Sequence, residues 1–428
     1  MGGTNFRVCS ITLHGDHTFS LTQSKVAVPR ALMETQVASE LFHFLAQQIE
    51  LFLKTHHEDH FVAHQRNPNS VPFFDLGFTF SFPVDQVGIN KGRLVRWTKG
   101  FDIKEAIGKD VCELLQKELD ALNVPVKVAA LVNDTVGTLM ARSYTSTGNE
   151  TTLLGAIFGT GTNGAYVEKL EKVKKMKAID EQEGGTKYNR STGLMIVNTE
   201  WGSFDNAMKT LPSTPYDREL DKESNNPGIQ MFEKRVSGMF LGEILRRALL
   251  ALHNNPDPQT AVFKDKTSGD NDLATTTTID PNSGLFKQWG IDTSFLSIVE
   301  EDQSDHLRIT KQTLERDLMV HGASTEDAVV VKMLVHAVGK RAARLAAVAL
   351  GAVVLHSKRI ETDGFADIGV DGSLVEYYPG FEDYIREAFR ETDGIGEEGD
   401  KKIRIGLAKD GSGLGAALIA LIAAEAEQ

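Results

Sequence analysis

Two short turns rich in glycine and threonine are the segments of this sequence best suited to binding phosphate. They occupy residues 2–5 (GGTN) and 159–163 (GTGTN), and a strand-like run of alternating residues follows each. Glycines let backbone amides approach an anion closely, and threonine hydroxyls add hydrogen-bond donors. Either turn alone could do no more than close a hairpin. Together they indicate a nucleotide site divided between two parts of the chain.

Asp134 is the candidate for acid–base chemistry. It stands between a buried apolar run, residues 126–132, and the start of a helical pattern. A carboxylate at the carboxyl edge of a sheet can face a cleft and act there as a general base. An N-cap that accepts amide hydrogen bonds explains the same residue, and position alone favours the cap. Both interpretations therefore stay open at this stage.

A set of polar side chains accompanies Asp134, and each member follows or ends an apolar segment. The set comprises Ser81, Thr98, Lys99, Asn133, Asn163, Glu200, Gln230 and Glu233. A sugar presents hydroxyl groups that both donate and accept, so converging amide and carboxylate groups give directional pairing. Taken singly, Glu200 and Glu233 could be ordinary carboxylates and Lys99 a solvated cation. Their combination suits a hexose.

The spacing of apolar residues predicts the elements that would position these side chains. It predicts a short antiparallel meander in residues 3–28 and strands near residues 76–82, 94–97, 126–132, 153–158, 165–169 and 366–370. It predicts helices near residues 34–54, 108–122, 134–142, 230–252, 325–349, 381–391 and 413–424. This is an α/β layout with two related halves, one around each glycine turn. We expect exposed connections or loops at residues 170–192, 254–283 and 391–400.

Composition limits the class of protein. The 428 residues suffice for two or three domains, and the 41% hydrophobic and 25% charged fractions are typical of globular proteins. A net charge of −13 disfavours nucleic acid as a partner and favours small polar substrates. Cys9 and Cys112 form neither a disulfide framework nor a zinc site, and no apolar run is long enough to span a bilayer. We therefore expect a cytoplasmic protein without a membrane partner.

Seven segments together resemble the eukaryotic hexokinase family, and in appearance they come closest to the fungal-type glucokinases. They are residues 76–83 (LGFTFSFP), 97–101 (WTKGF), 132–138 (VNDTVGT), 198–204 (NTEWGSF), 232–239 (FEKRVSGM), 370–373 (VDGS) and 410–413 (DGSG). The segments are spread over nearly the whole chain. Such long matching strings are far more specific than either glycine turn.

The resemblance implies a fold and an activity. The fold would be α/β, of the actin-like (ribonuclease H-like) sugar kinase type, with an interdomain cleft. A small domain would span residues 1–134, with residues 412–428 returning to it, and a large domain would span residues 135–411. The activity would be phosphoryl transfer from ATP, with Mg²⁺, to the 6-hydroxyl of glucose or a related hexose, the first step of glycolysis.

The resemblance also implies roles for individual residues of this chain. Asp134 would be the base, and Lys99 would share the catalytic work. The sugar pocket would be lined by Ser81, Phe82, Thr98, Lys99, Asn133, Asp134, Asn163, Glu200, Gln230 and Glu233. The nucleotide would be held by Gly2, Gly3, Thr4, Asn5, Thr160, Gly372, Ser373 and Ser412. The resemblance does not identify protein ligands for a metal.

The chain departs from the family pattern at the first glycine turn. Family members have Asp-Leu before Gly-Gly-Thr-Asn, preceded by a strand, whereas Met1 precedes Gly2 here. The family's aspartate is associated with the Mg²⁺ of the nucleotide. Either the sequence is a fragment, or the protein is a noncatalytic sensor that binds glucose. An actin-like ATPase with another partner is a third alternative, because this fold supports many activities.

Overall fold

A computed structural model describes residues 5–97, 101–146, 151–176, 191–257, 260–264, 277–408 and 410–427. Five of the residues to which the sequence assigned site roles, Gly2, Gly3, Thr4, Thr98 and Lys99, lie outside the described residues. Asn5 is described by its backbone alone, as the first residue of a strand. Within the part of the chain that the structure describes, no helix is long and apolar enough to cross a lipid bilayer.

The described residues alternate between strands and helices along the chain. The strands are β1 (Asn5–Leu13), β2 (Phe19–Ala27), β3 (Phe74–Thr79), β4 (Val84–Gly88), β5 (Lys91–Leu94), β6 (Val126–Val132), β7 (Leu154–Phe158), β8 (Thr162–Lys169), β9 (Leu194–Asn198), β10 (Thr278–Ile279), β11 (Val320–His321), β12 (Ala366–Asp371) and β13 (Ile403–Leu407). The helices are α1 (Arg30–Met33), α2 (Ala38–His56), α3 (Glu58–Arg66), α4 (Val111–Ala121), α5 (Asp134–Thr145), α6 (Pro215–Glu223), α7 (Glu233–Val236), α8 (Gly238–His253), α9 (Thr293–Glu301), α10 (Arg308–Leu318), α11 (Thr325–Ser357), α12 (Arg359–Thr362), α13 (Ser373–Tyr377), α14 (Phe381–Glu391), α15 (Gly396–Asp400) and α16 (Gly411–Glu427). The layout is α/β, as the sequence predicted.

The second half of the chain contains a five-stranded sheet in the order β13-β12-β7-β8-β9. Strands β13, β12 and β7 run parallel, whereas β8 and β9 continue antiparallel from β7. The register places Ile368 opposite Leu154 and Phe158 opposite Thr162. Because β7 and β12 are parallel neighbours, their carboxyl ends meet at one edge. That edge carries the 159–163 turn and the start of α13.

The first half contains the same kinds of strand pair, but the described strands do not join into one sheet. Strands β1 and β2 form an antiparallel hairpin, β3 pairs with β6 in parallel, and β4 pairs with β5. The carboxyl end of β6 leads directly into α5. The first half therefore delivers Asn133 and Asp134 to the same region as the edge of the larger sheet.

The two largest apolar clusters follow this division. One is built from residues between 153 and 403, and the other from residues between 6 and 131. Helix α16 packs on α5, β3 and β6, where Gly77 lies against Ala416 and Gly415 lies against Gly137. Because those contacts involve backbone atoms, a larger residue in place of Gly77 or Gly415 would push α16 away from β3 or α5. The expected domains and their boundaries stay a prediction.

Several local predictions were wrong, and contacts distant in sequence explain why. Residues 230–252 do not form one helix, because Ser237 is extended (φ −85°, ψ 149°) and separates α7 from α8. The amide of Gly238 instead donates to the carbonyl oxygen of Gly159, at 2.8 Å. Strands β4 and β9 were missed, and the strand predicted near residues 94–97 ends at Leu94. Whether such short segments form strands depends on their pairing with a neighbouring strand.

Two segments expected to be exposed are partly buried. Within residues 254–283, Ala261, Val262 and Phe263 are buried, and the amide of Phe263 donates to Asp327 Oδ1 at 2.9 Å. Residues 391–400 contain α15, and Asp400 at its end accepts from Arg386 and Arg390. Local composition made these segments look like solvated loops, but distant partners bury them.

Candidate active site

A cavity of about 2260 Å³, which also extends along β1 and β3, is lined by the predicted site residues whose side chains the structure describes. Its lining includes Ser81, Phe82, Asn133, Asp134, Thr160, Asn163, Glu200, Gln230, Glu233, Gly372, Ser373 and Ser412. These side chains come from both halves of the chain and lie up to 331 residues apart, from Ser81 to Ser412. The part of the cavity that these residues line is the cleft.

The structure at the start of α5 distinguishes between the two roles considered for Asp134, general base and N-cap. Asn133 is the N-cap, with extended backbone (φ −74°, ψ 146°), and its Oδ1 accepts from the Thr135 amide at 2.9 Å. Asp134 is the first helical residue, and its Oδ1 accepts from the same amide at 2.9 Å. Because Asn133 is the N-cap residue of α5, Asp134 is not needed to cap the helix. The carboxylate lines the cleft at a helix N-terminus, where negative charge is favoured.

Asn163, which also lines the cleft, is the centre of a hydrogen-bond network. Its Nδ2 donates to Asn198 Oδ1 at 2.8 Å and to Glu200 Oε1 at 3.0 Å. Asn198 Nδ2 donates to the same Glu200 oxygen at 2.9 Å, and the Gly164 amide donates to Asn163 Oδ1 at 2.8 Å. The network fixes the orientation of an amide and a carboxylate, as the recognition of a hydroxylated ligand requires.

Glu200 and Gln230 both have left-handed backbone conformations, with φ of +50° and +57°. Such conformations are uncommon for residues other than glycine and cluster at functional sites. Ser203 donates to Gln230 Oε1 at 3.0 Å. A Cβ at Gly202 would lie 2.7 Å from the same oxygen, so only glycine leaves Gln230 in place.

Thr162 connects this wall to the glycine turn. Its backbone amide donates to Glu233 Oε2 at 3.0 Å, and its Oγ1 accepts from Trp201 Nε1 at 3.0 Å. A Cβ at Gly161 would lie 2.8 Å from Glu233 Oε2. The carboxylate of Glu233 therefore lies directly on the turn. Neither Thr162 nor Trp201 was given a role from the sequence, although both belong to segments that it singled out.

Aromatic side chains support the wall formed by Ser81 and Phe82. Phe82 lies 5.0 Å from Trp97 and 5.2 Å from Phe101, measured between ring centroids. Trp97 stacks on Phe101 at 5.4 Å, and its Nε1 donates to the carbonyl oxygen of Ile103 at 2.8 Å. The residues that flank Thr98 and Lys99 in sequence are therefore anchored beside Phe82.

The turn at residues 159–161 is held by the elements around it. The amide of Gly238 donates to Gly159 O at 2.8 Å, and that of Met239 donates to Thr160 O at 3.3 Å. Gly372 has a φ of +115°, and a Cβ there would lie 2.5 Å from the Phe158 carbonyl carbon. Only glycine allows the start of α13 to approach the turn this closely.

Asp371 is a cleft residue that the residue-by-residue assignment missed. It ends β12, and its Oδ1 accepts from the Gly372 amide at 2.7 Å. Burial raises its pKa above the usual value, the negative charges of Asp410 and Glu376 raise it further, and backbone hydrogen bonds oppose the shift. The reasoning applied to Asp134, a carboxylate after a buried strand, could have identified Asp371. Nearby Asp410 pairs with Arg7 at 2.6 Å.

The donor set of the cleft consists of carboxylate, hydroxyl and amide groups, which are ligands that suit Mg²⁺. Among the described residues, no three His, Cys, Asp or Glu side chains are grouped closely enough to hold a metal ion. Mg²⁺ commonly binds through one or two carboxylates together with substrate phosphates. The carboxylates of Asp134 and Asp371, which line the cleft, fit a Mg²⁺ ion bound in that way.

Comparison with known families gives a consistent result over most of the chain. Two family models, both described as Hexokinase, match residues 1–144 and residues 153–422. A glucokinase of Aspergillus niger is 58% identical, over all of this chain and 85% of its own length. Glucokinase-1 of Saccharomyces cerevisiae is 42% identical, over 99% of this chain and 83% of its own length.

A solved structure shows the same overall fold. It is a hexokinase from Schistosoma mansoni complexed with glucose, 34% identical, with a TM-score of 0.75. The match covers 98% of this chain and 83% of the other. The fold expected from the sequence is thereby confirmed.

Proposed function

Because the chain belongs to the hexokinase family, we propose that it phosphorylates glucose at the 6-hydroxyl, with MgATP as the phosphoryl donor. The observation that carries the proposal is one cleft that is lined by a carboxylate at a helix start, by a hydrogen-bonded network of amides and a carboxylate, and by a glycine–threonine turn. Sugar and nucleotide can lie side by side there. In-line transfer requires that arrangement of acceptor and donor.

We assign the acceptor side of the cleft to the sugar. Asn163, Glu200, Gln230 and Glu233 come from the second half, and Ser81, Phe82, Asn133 and Asp134 come from the first. Thr98 and Lys99 complete this set by family motif and lie outside the described residues. Their amide and carboxylate groups can pair with hydroxyl groups in fixed directions, so a misplaced or missing hydroxyl would be rejected.

We assign proton transfer to Asp134. Its carboxylate would accept the proton of the sugar 6-hydroxyl as the oxygen bonds to the γ-phosphorus and the bond to ADP breaks. In phosphoryl transfer, alignment and charge neutralisation supply most of the rate enhancement. Lys99 would stabilise charge on the transferring group. When bound, Mg²⁺ neutralises charge on the β- and γ-phosphate oxygens.

We assign the donor side to residues around the two turns. Thr160 belongs to the second turn, and Gly372, Ser373 and Ser412 border the same side of the cleft. Gly2, Gly3, Thr4 and Asn5 would form the first phosphate turn, which rests on the sequence motif alone. Two turns would hold the phosphates from both sides with backbone amides.

Domain closure is part of the proposal. Residues 1–134 with 412–428 would move as one body and residues 135–411 as the other, which the two separate cores support. Closure would expel water, because a water molecule in the sugar's place would accept the phosphoryl group and waste ATP. We also propose a cytoplasmic location, which the free thiols of Cys9 and Cys112 support.

A coupled assay tests the proposal. We expect glucose with MgATP to yield ADP and glucose 6-phosphate, and 6-deoxyglucose, which lacks the acceptor hydroxyl, to yield neither. Mannose and fructose in the same assay would establish the preference among hexoses. Glucose binding without any ADP would overturn the proposal in favour of the noncatalytic sensor, which the named relatives do not favour. ADP release that is independent of sugar would indicate an ATPase.

A further inference from the structure

Helix α5, which begins at the proposed base, lies across a row of three glycines in the five-stranded sheet. Gly155 of β7, Gly369 of β12 and Gly406 of β13 are paired in register, so they form one line across three neighbouring strands. A Cβ at Gly155 would lie 2.6 Å from the carbonyl oxygen of Thr135. A Cβ at Gly369 would lie 2.6 Å from Cβ of Arg142. This glycine row therefore lets α5 approach the strands closely.

The same close approach removes one means of fixing a helix on a sheet. Side chains that interdigitate between two packed elements resist sliding and rotation of one element on the other. The glycine row offers no side chain toward α5, so this part of the interface is smooth. A directional contact between α5 and the sheet can set the position of the helix along such a surface.

Arg142 of α5 and Asp367 of β12 form a contact of this kind. Arg142 Nε donates to Asp367 Oδ2 at 3.0 Å, and Arg142 Nη2 donates to Asp367 Oδ1 at 2.7 Å. Asp367 lies two residues before Gly369 on β12, so both residues belong to the same face of the sheet. The guanidinium lies over Gly406, where a Cβ would come too close to Arg142 Nη1. Two parallel hydrogen bonds fix direction as well as distance.

The carboxylate of Asp367 is itself held in place. Its side chain is 2% exposed, and Thr152 Oγ1 donates to Asp367 Oδ2 at 2.9 Å. The amide of Leu153 donates to the carbonyl oxygen of Asp367 at 2.9 Å. Arg142 is therefore bound to a fixed point of the sheet, whereas pairing with an exposed carboxylate would fix little.

We propose that Arg142 and Asp367 are positioning residues for phosphoryl transfer, an inference that rests on the proposed function. Neither of them lines the cleft. Arg142 follows Asp134 by about two helical turns, roughly 12 Å along the axis of α5. The turn that contains Thr160 follows β7, which belongs to the same sheet as Asp367. The ion pair thus fixes the proton acceptor relative to the donor side of the cleft, where a displacement of about 1 Å lowers the rate strongly.

The Arg142→Lys variant tests the proposal, because lysine keeps the charge but cannot form two parallel hydrogen bonds. We expect kcat with glucose and MgATP to fall about tenfold and both KM values to change by less than about twofold. The matched control is Arg341→Lys. Arg341 of α11 forms a bidentate pair with Asp217 of α6, and the exposed fractions of 20% and 2% equal those of Arg142 and Asp367. Equal falls in kcat in the two variants would overturn the proposal.

A double-variant cycle tests whether the ion pair acts through Asp134. In the Asp134→Asn background, no carboxylate remains to be positioned. We therefore expect Arg142→Lys to lower the residual kcat by less than about twofold in that background. A further fall of about tenfold would show that the pair acts independently of Asp134 and would overturn the proposal.

Amide hydrogen exchange tests the anchoring of α5 without catalysis. We expect the amides of residues 137–141 to exchange about tenfold or more faster in Arg142→Lys than in the unchanged protein, and at the unchanged rate in Arg341→Lys. Equal exchange rates in the two variants would overturn the proposal. A chain that transfers no phosphate would refute the proposed function, whereas the exchange measurement would still decide whether the ion pair holds α5 in position.

Discussion

The two halves of the molecule organise their described strands in different ways. In the second half, a complete five-stranded sheet carries the turn at residues 159–161, and amides of α8 and the backbone at Gly372 pack against it. In the first half, the described strands form three separate pairs, β1 with β2, β3 with β6 and β4 with β5. The comparison teaches that one described sheet supports the glycine turn of the second half, whereas the first half contributes Asp134 from the end of β6, which belongs to a separate strand pair.

The largest expected effect concerns the contribution of the first half. Asp134→Asn keeps the shape of the side chain but removes the proposed base, so we expect turnover to fall by roughly 10²- to 10⁴-fold. Steady-state kinetics with glucose and MgATP measure the change. The matched control is Asp110→Asn, at the N-cap of α4, outside the cleft. Normal turnover in Asp134→Asn would contradict the assignment of the base.

The second prediction compares Gly372, which packs against the glycine turn of the second half, with Gly413 in α16, which lies near β1 of the first half. Gly372→Ala places a Cβ at 2.5 Å from the Phe158 carbonyl carbon and at a φ of +115°. Strain and overpacking together should cost about 2–4 kcal/mol of unfolding free energy. Gly413→Ala, whose Cβ would lie 3.4 Å from Cys9 Sγ, is the matched control and should change little. Thermal unfolding of both variants measures this difference. Equal melting temperatures would contradict the claim that only glycine is tolerated at position 372.

The third prediction concerns the hydrogen bond from Trp201, which follows Glu200, to Thr162, which follows the glycine turn. Thr162→Val and Trp201→Phe each remove the 3.0 Å hydrogen bond between these side chains. One such bond contributes about 1 kcal/mol, so we expect KM for glucose to rise about two- to tenfold, with a smaller change in kcat. The double variant should lose little more than either single one. Thr313→Val, a buried threonine in α10, is the control, and additive losses would argue against the link.

The smallest expected effect is the pH dependence caused by Asp371. Burial raises its pKa in the folded protein, so the folded state binds a proton more readily than the unfolded chain. Stability then falls as pH rises through the window between the two pKa values, and the cost persists at pH 7. We expect Asp371→Asn to raise the melting temperature without nucleotide by roughly a degree or two at pH 7. The gain should shrink toward pH 4, and a gain that is constant with pH would contradict this cause.

The pattern of apolar residues was sufficient to predict the bounds of an element whose own residues specify it. Strand β6 and helix α14 have the bounds that alternating and helical spacing predicted, residues 126–132 and 381–391. The motif strings placed the described site residues in one cleft, because they mark where strands end and helices begin. The sequence could not assign the cap between Asn133 and Asp134, since that choice depends on the backbone angles at the junction.

The sequence by itself determined the α/β class, the kinship with hexokinases and the chemical groups available for binding a sugar and a nucleotide. Only the tertiary structure decided that Ser237 interrupts a predicted helix and that Asp371 lines the cleft. The reason is physical. Periodicity and motifs reflect interactions between residues close in sequence, whereas these features depend on contacts between segments far apart in the chain.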